Sequence, residues 1–504
     1  MNRLFIFFPF LLVLLTACPK KDDVEETKED EIPLVSQFVY DGMSSYYLWS
    51  GGMLSKEPTV ADKNPETYFS TLLSSVDTQH GWSWITDDVD ALLAEFSGSP
   101  KDFGWSLALY RVSGSNTNVV GVVKYVFPNT PAANAGVVRG EIVNQIDGTN
   151  LTLSNYTRLF EGVPVTVGIV NPVTSTTRNL PLTPVLIETN PVLIDTVFKD
   201  QPAFAGKKIG YLFYTDFISE FNGKLFEAFT KFKSEGITDL VVDLRYNHGG
   251  AITAAAYLAS LIAPRTVVES HSVFTTLTYN DFVNAAYQSQ GVDRNAYFVN
   301  SGSQNPLAAN LNLNKVYIIA TDDSYSASEL LAHCLKPYMD VVHIGSKTGG
   351  KFTGSWTIHA YDSYGNEAVP VYQASSLSNE EKQELKNWAM QPIVAIYKDK
   401  NGVDFSAAGA LIPNYPIESI EGDPSIWKPL GASNDYLVAK AVSLITGLPV
   451  AASAPHTTTA RSVYQAGAKK LFSPRDNRLK ESVQLEVPTK ISNDLMLKTS
   501  ARRF

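Results

Sequence analysis

The chain has 504 residues and a net charge of −10, with 11% aromatic residues and two cysteines. At about 100–200 residues per domain, this length allows for several domains and a sizeable hydrophobic core. The acidic balance disfavours a general nucleic-acid-binding surface, the cysteine count excludes a disulfide scaffold and a cysteine-rich zinc module, and the aromatic content excludes a disordered chain.

The N-terminus has the pattern of a targeting segment. Arg3 precedes an apolar run over residues 4–15, which has the proportions of a signal peptide and is short for a membrane span. The run ends in Leu-Thr-Ala-Cys, which resembles a bacterial lipoprotein signal, where cleavage precedes the cysteine and lipid is attached to it. We therefore expect a signal peptide over residues 1–17 and a lipid anchor on Cys18 that holds the protein at the bacterial cell envelope, on the outer membrane. A plain signal peptide with an incidental cysteine is the alternative.

Composition and periodicity divide the rest of the chain into segments of different character. The segments are an acidic tether over 18–34, a helical region over 35–97, a strand-rich domain over 98–192, an α/β domain over 193–448 and a polar, locally basic tail over 449–504. No later stretch has the roughly 18 consecutive apolar residues of a transmembrane helix, so none is expected.

Hydrophobic patterns predict the main elements in chain order. In the strand-rich domain we expect strands over 119–127 and 163–170, with a short helix over 130–136. In the α/β domain the predicted strands are 209–213, 239–244, 316–320 and 341–344, and the predicted helices are 220–233, 252–262 and 327–336. Alternation of strands with helices favours layered α/β architecture.

Two strand-to-helix connections in the α/β domain carry chemistry. Residues 243–250 read Asp-Leu-Arg-Tyr-Asn-His-Gly-Gly, and the paired glycines allow a tight turn that presents N–H groups to a negatively charged oxygen. Taken alone, this pattern is equally a plain tight turn. Residues 320–331 place Ser326 between a strand and a helix, where the hydroxyl is a candidate nucleophile if a base lies beside it.

Several side chains are candidates for that base. His333 lies seven residues along the predicted helix from Ser326, about 10 Å away, which is too far for direct proton transfer. His248 precedes the glycine pair, where an orienting or structural role is favoured. Lysine is the other option, and residues 345–351 contain Lys347 and Lys351, between which spacing does not choose.

The motifs Asp-Leu-Arg-x-Asn-x-Gly-Gly, Ser-x-Ser-Ala-Ser-Glu and Gly-x-x-Thr-x-Gly-Lys together resemble the C-terminal processing (tail-specific) serine peptidases of family S41. The resemblance implies that Ser326 is the nucleophile and that Lys351, 25 residues later, is the general base. It also implies oxyanion donors at Gly249, Gly250 and Ala327. For the third catalytic member, the family often has a glutamine where this chain has Ser355, and Glu329 and the nearby Thr348 are alternatives.

The strand-rich domain resembles a PDZ domain through residues 103–107, 130–136 and 139–148. PDZ domains add an extended peptide to a sheet edge and bind its terminal carboxylate. The resemblance implies that a substrate C-terminus is bound by Phe103, Gly104, Trp105, Ser106 and Leu107. The fold class that follows is a multi-domain α/β chain with a helical N-terminal region, a PDZ-like β-rich domain and a crotonase- or ClpP-like α/β peptidase core.

The function implied is that of a membrane-anchored serine endopeptidase acting on proteins or peptides. No cofactor, metal or nucleic-acid partner is expected. Two alternatives remain at this point. A catalytically degenerate relative would capture peptides through its PDZ-like domain without cutting them, and a crotonase-like acyl-CoA enzyme would use the same glycine turn without Ser326 and Lys351.

Overall fold

The computed structural model describes residues 31–53, 55–112, 114–417, 424–449 and 470–471. The predicted signal peptide, Cys18, nearly all of the predicted tether and most of the predicted tail lie outside the described residues. Within these ranges, no helix combines the length and apolar character needed to cross a bilayer.

The N-terminal region is helical and shares its core with the α/β domain. Its elements are α1 (Leu34–Tyr46), α2 (Pro65–Leu72), α3 (Ser75–His80), β1 (Trp84–Thr86) and α4 (Val89–Phe96). Helix α1 buries Phe38, Met43 and Tyr46 completely, and these side chains belong to the same hydrophobic cluster as Leu212 and Ile358 of the α/β domain. Burial on this scale ties the two regions into one unit.

The strand-rich domain has its own apolar core. Its elements are β2 (Lys101–Asp102), β3 (Trp105–Arg111), β4 (Val119–Val126), α5 (Pro131–Asn134), β5 (Ile142–Ile146), β6 (Thr149–Asn150), β7 (Val165–Val170), β8 (Thr177–Leu182) and β9 (Val185–Leu186). A seven-stranded sheet runs in the order β23-β3-β4-β5-β7-β8, with β6 paired to β5. Strand β23 (Lys470–Leu471) comes from the C-terminal tail and pairs antiparallel with Leu109 and Tyr110 of β3.

The α/β domain is built around a six-stranded sheet. The strands of the whole domain are β10 (Val192–Phe198), β11 (Ile209–Tyr214), β12 (Asp239–Asp243), β13 (Val273–Tyr279), β14 (Asn295–Tyr297), β15 (Lys315–Ala320), β16 (Asp340–Gly345), β17 (Thr353–Ser355), β18 (Ile358–Tyr361), β19 (Val369–Tyr372), β20 (Ala389–Gln391), β21 (Ile393–Lys398) and β22 (Tyr415–Pro416). The central sheet has the order β10-β11-β12-β15-β16-β22. Its strands from β11 onward are parallel, whereas β10 is antiparallel to β11.

Helices cover both faces of the central sheet. The helices of the α/β domain are α6 (Asn222–Glu235), α7 (Ile252–Ile262), α8 (Arg265–Glu269), α9 (Asp281–Gln290), α10 (Pro306–Ala309), α11 (Ala327–Leu335), α12 (Asn379–Leu385) and α13 (Tyr436–Thr446). Successive residues of β11 point to opposite faces, as strand geometry requires. Leu212 joins the cluster that includes α7 and α11, and Tyr211 and Phe213 join the cluster that includes α13.

Two further four-stranded sheets complete the domain, in the orders β14-β13-β21-β17 and β1-β20-β18-β19. The predicted strands at 209–213, 239–244, 316–320 and 341–344 are confirmed within one residue at each end. The predicted helices at 220–233, 252–262 and 327–336 are confirmed as α6, α7 and α11 within two residues. The protein is therefore a mixed α/β protein, as the sequence predicts.

Candidate active site

Three neighbouring parallel strands bring the sequence motifs to one edge of the central sheet. Strands β12, β15 and β16 pair in that order, with Asp243 opposite Ile319 and Ala320 opposite Gly345. The loop after each strand carries one of the three motifs. Carboxyl ends of parallel strands form the usual ligand-binding edge of an α/β sheet, so the three motifs converge there.

Ser326 occupies a strained position at the start of α11. Its φ is +62° and its ψ is −113°, a conformation that residues other than glycine rarely adopt. The side chain is fully buried, and its Oγ makes no hydrogen bond within the described part of the chain. Such strain and an unsatisfied buried hydroxyl are typical of functional positions rather than of a structural serine.

Burial and hydrogen bonding distinguish the side chains that the sequence offers as the general base. Lys351 is fully buried, whereas Lys347 is exposed. The Nε2 atom of His333 lies 2.9 Å from the carbonyl oxygen of Val403, which occupies that ring nitrogen. His248 is buried with its ring edge-on to Tyr325. Burial therefore favours Lys351 over Lys347.

The Glu329 carboxylate holds the backbones of Ser326 and Lys351 together. Its Oε2 atom accepts from the Ser326 N–H at 2.8 Å and from the Lys351 N–H at 2.9 Å. Its Oε1 atom accepts from the Gly350 N–H at 2.8 Å and from the Thr348 hydroxyl. The two nitrogens that share Oε2 are within about 6 Å of each other, because each lies within about 3 Å of the same oxygen. Glu329 is thus a positioning residue for both motifs.

Tyr397, on β21, makes a second link that sequence reasoning missed. Its buried hydroxyl donates to the carbonyl oxygen of Ser326 at 3.1 Å and to that of Lys351. A tyrosine within an apolar strand reads as a core residue, so no signal in the sequence distinguishes it. Ser355, the other predicted third member, is buried at the end of β17, where it pairs with Ile393 in the sheet.

Burial raises the pKa of Glu329 to about 7, although four hydrogen bonds favour its ionised form. Because this pKa lies above the ordinary value of 4.5, the folded protein holds a proton that the unfolded chain releases. The protonated Glu329 therefore contributes to the free energy of unfolding. This contribution is fully present below about pH 4.5 and is lost as the pH rises through about 7.

Replacing Glu329 by glutamine removes this titration. We expect the free energy of unfolding of the wild type, relative to Glu329→Gln, to fall by about 3 kcal/mol between pH 4.5 and pH 7.5. Urea unfolding of both proteins at the two pH values measures it. A difference that does not change with pH would contradict the raised pKa of this buried carboxyl.

The glycine turn lies directly against the serine. A Cβ on Gly249 would come within 2.8 Å of the Ser326 Cβ and 3.0 Å of the Ala327 nitrogen, and a Cβ on Gly250 would come within 2.2 Å of the Phe217 carbonyl oxygen. Both glycines have positive φ, so no other residue fits this turn.

One predicted oxyanion donor needs correction. The Gly249 N–H donates to the Asn247 side-chain oxygen at 2.8 Å, so this amide already has a partner. The amides of Gly250 and of Ala327, the first residue of α11, are the donors that remain of the three predicted. Asn247 also accepts from the Ser328 hydroxyl at 2.9 Å, which fastens the turn to α11.

A buried ion triad anchors the turn to the C-terminal helix. Arg245 donates to Asp243 and to Asp435, each at 2.7 Å, and the three side chains are at most 3% exposed. Burial alone would raise the pKa of Asp435, but the Arg245 charge and its hydrogen bonds outweigh burial and hold that pKa below its ordinary value. Asp435 also caps α13 through the N–H groups of Leu437 and Val438.

The predicted peptide-binding residues 103–107 occupy the start of β3, and three of their side chains belong to the core. Phe103, Trp105 and Leu107 are at most 3% exposed and pack in the apolar cluster of the domain. The Gly104 N–H donates to Asp102 at 2.6 Å. These side chains are therefore not on a binding surface, and any contact of this segment with a peptide would involve the half-exposed Ser106 or the backbone.

Comparisons with known proteins agree with these motifs. Residues 208–396 match the sequence model of Peptidase family S41, and residues 35–84 match that of the Peptidase S41 N-terminal domain. The first match includes Ser326, Lys351 and the glycine turn.

The chain is similar to a C-terminal processing peptidase from the chloroplast of Tetradesmus obliquus, with 28% identity over 59% of this chain and 61% of the relative. It is also similar to a carboxyl-terminal-processing protease of Picosynechococcus, with 25% identity over 44% of this chain and 49% of the relative. The chain thus spans about half to three fifths of the length of these two relatives. A solved structure from Bacteroides fragilis, assigned to the S41 proteases, shares the fold with a TM-score of 0.59 and 24% identity, over 81% of this chain and 97% of that one.

Proposed function

Because residues 208–396 match the S41 peptidase model, we propose that this chain is a serine peptidase of that family and that it cleaves protein or peptide substrates through a Ser326–Lys351 dyad. The observation that carries the proposal is the shared Glu329 oxygen, which fixes the backbones of both residues within about 6 Å of each other. Both side chains are fully buried. Burial disfavours a charged amine, and a lysine must be neutral to accept a proton.

In the proposed reaction, the neutral Lys351 amine takes the proton of the Ser326 hydroxyl as Oγ bonds to the substrate carbonyl carbon. The oxygen that becomes negative accepts hydrogen bonds from the amides of Gly250 and Ala327. The Lys351 ammonium then protonates the departing amine as the peptide bond breaks. Water, deprotonated by Lys351, releases the acyl group and regenerates the serine. Because Ser326 is fully buried, substrate entry requires the site to open.

The strand-rich domain is proposed to act as a PDZ-like module that captures an extended substrate C-terminus. The support is that β3 accepts a strand on the side away from β4, since Lys470–Leu471 pairs there in antiparallel register. Main-chain pairing of this kind is how such modules bind peptides. The α/β domain is proposed to have a crotonase- or ClpP-like core, on the basis of the glycine turn that follows β12.

We also propose that the protein is a lipid-anchored component of the bacterial cell envelope. The support is the lipoprotein-like signal that ends at Cys18 and the charged segment that follows it. Globomycin treatment of expressing bacteria, followed by electrophoresis, tests the proposal. Accumulation of the unprocessed precursor supports it, and an unchanged mature form opposes it.

The peptidase proposal is tested by mass spectrometry of an unfolded protein incubated with purified wild type and with Ser326→Ala. The wild type should release peptides, and Ser326→Ala should release them at least roughly 10³-fold more slowly, because no nucleophile remains. Equal cleavage by the two proteins would contradict the proposal that Ser326 and Lys351 catalyse the reaction. Recovery of intact substrate in a stable complex with the wild type would instead favour a peptide-binding protein without catalysis.

A further inference from the structure

A cavity of about 760 Å³ adjoins the glycine turn of the proposed active site. Gly249 and Gly250 form part of its wall, and Asp216 lies on the adjacent loop after β11. That loop is fixed to the turn by two backbone hydrogen bonds, from the Phe217 N–H to Gly249 at 2.8 Å and from the Ala251 N–H to Phe217 at 2.7 Å. The cavity therefore lies next to the amide of Gly250, which is one of the two proposed donors to the substrate carbonyl oxygen.

Part of the cavity lining is apolar. Side chains from α7, β13 and the segment after β14 form it, and they are Ile252, Ala256, Leu277, Tyr279 and Val299. Such a wall suits the methylene stem of a long side chain, which gains from burial along apolar surface.

The charges around the cavity are predominantly negative. Five carboxylates from four separate parts of the chain line it, namely Glu95, Asp216, Glu220, Asp293 and Glu367. Arg294 is the one cation in the lining among the described residues, and its guanidinium donates to the Asn284 side chain at 2.9 Å. Residues distant in sequence thus converge to give this cavity a negative potential, which attracts positive groups.

Resting on the proposed peptidase activity, we propose that this cavity is a specificity pocket that accepts a lysine or arginine side chain of the substrate close to the scissile bond. The apolar wall contacts the stem and the carboxylates receive the charged head. Asp216 is the specificity-determining residue, because its loop is hydrogen-bonded directly to the glycine turn, and Asp293 contributes from another segment of the lining.

The test compares kcat/KM for two peptides that differ in one residue beside the cleaved bond, lysine in one and glutamine in the other. The cleaved bond is first mapped by mass spectrometry of an unfolded protein. The wild type should favour the lysine peptide by about tenfold or more, and Asp216→Asn should lower that ratio by about the same factor. Asp293→Asn should lower it to a smaller extent. Glu227→Gln, a neutralisation on α6 that is 65% exposed and outside the cavity, should leave the ratio unchanged.

A ratio near one for a wild type that cleaves both peptides would overturn the pocket and leave the peptidase proposal standing. No cleavage of the unfolded protein by the wild type in the mapping step would overturn both proposals, whereas cleavage of that protein with no cleavage of the lysine peptide would overturn the pocket alone. Should Asp216→Asn fail to fold, the ionic strength provides the second measurement, because screening by 0.5 M salt must reduce the wild-type preference for lysine if carboxylates produce it. A preference that is insensitive to salt would contradict the inference.

Discussion

Replacing Lys351 by methionine will lower kcat/KM for peptide cleavage by on the order of 10⁴-fold, with little change in folding. Methionine keeps the apolar stem in its buried position but removes the amine, so that nothing accepts the Ser326 proton. The steady-state cleavage rate of a quenched fluorescent peptide measures the loss, and the near-ultraviolet circular dichroism spectrum verifies that the fold is retained.

Lys347→Met is the matched control, since Lys347 lies in the same loop but is exposed. We expect it to cleave at close to the wild-type rate. A large loss in Lys347→Met together with activity in Lys351→Met would reverse the assignment of the base. Activity in both variants would mean that neither lysine accepts the proton.

Replacing Arg245 by methionine will cost about 3–5 kcal/mol of folding free energy, because it leaves Asp243 and Asp435 buried without their counter-charge. Urea unfolding at pH 7 measures the loss. The pKa of Asp435 is lower in the folded protein than its ordinary value. The stabilisation that the ionised Asp435 contributes is therefore fully present above that ordinary value and is lost as the pH falls through the lower folded pKa.

The control for this variant is Lys315→Met, which removes an ion pair with Asp340 whose side chains are 48% and 73% exposed. Exposed pairs contribute about 0–1 kcal/mol, so this change should be nearly neutral. Equal losses of folding free energy in the two variants would show that burial does not increase the contribution of the triad to stability. A stable Arg245→Met protein with reduced cleavage would mean that the triad positions the glycine turn without supporting the fold.

The sequence predicts the strands and helices of the central sheet closely, because each is a run of apolar residues with a clear period that ends in a turn signal. Helix α7 is predicted to the residue. The motifs also place Ser326 in the loop between two such elements, β15 and α11, where the structure has it. The choice between Lys347 and Lys351 depends on the path of the loop after β16. That path is set by hydrogen bonds to Glu329, which no local pattern reveals.

The alternation of Phe103, Trp105 and Leu107 along the chain predicts that these side chains are buried, whereas the resemblance to a PDZ domain predicts that they contact a peptide. Trp105 and Leu107 are two residues apart on β3, so their side chains share one face of the sheet. That face is the core of the domain. Contacts made through the backbone, such as the occupied amides of Gly104 and Gly249, depend on tertiary geometry and leave no trace in residue type.

The short strand Lys470–Leu471 also covers an edge of the sheet that is a potential site of β-pairing between molecules. An unpaired outer strand presents N–H and C=O groups that can template intermolecular β-pairing and hence aggregation. By covering Leu109 and Tyr110 of β3, the chain shields part of its own sheet margin. These two residues thereby leave fewer open backbone groups on β3 for pairing with another molecule.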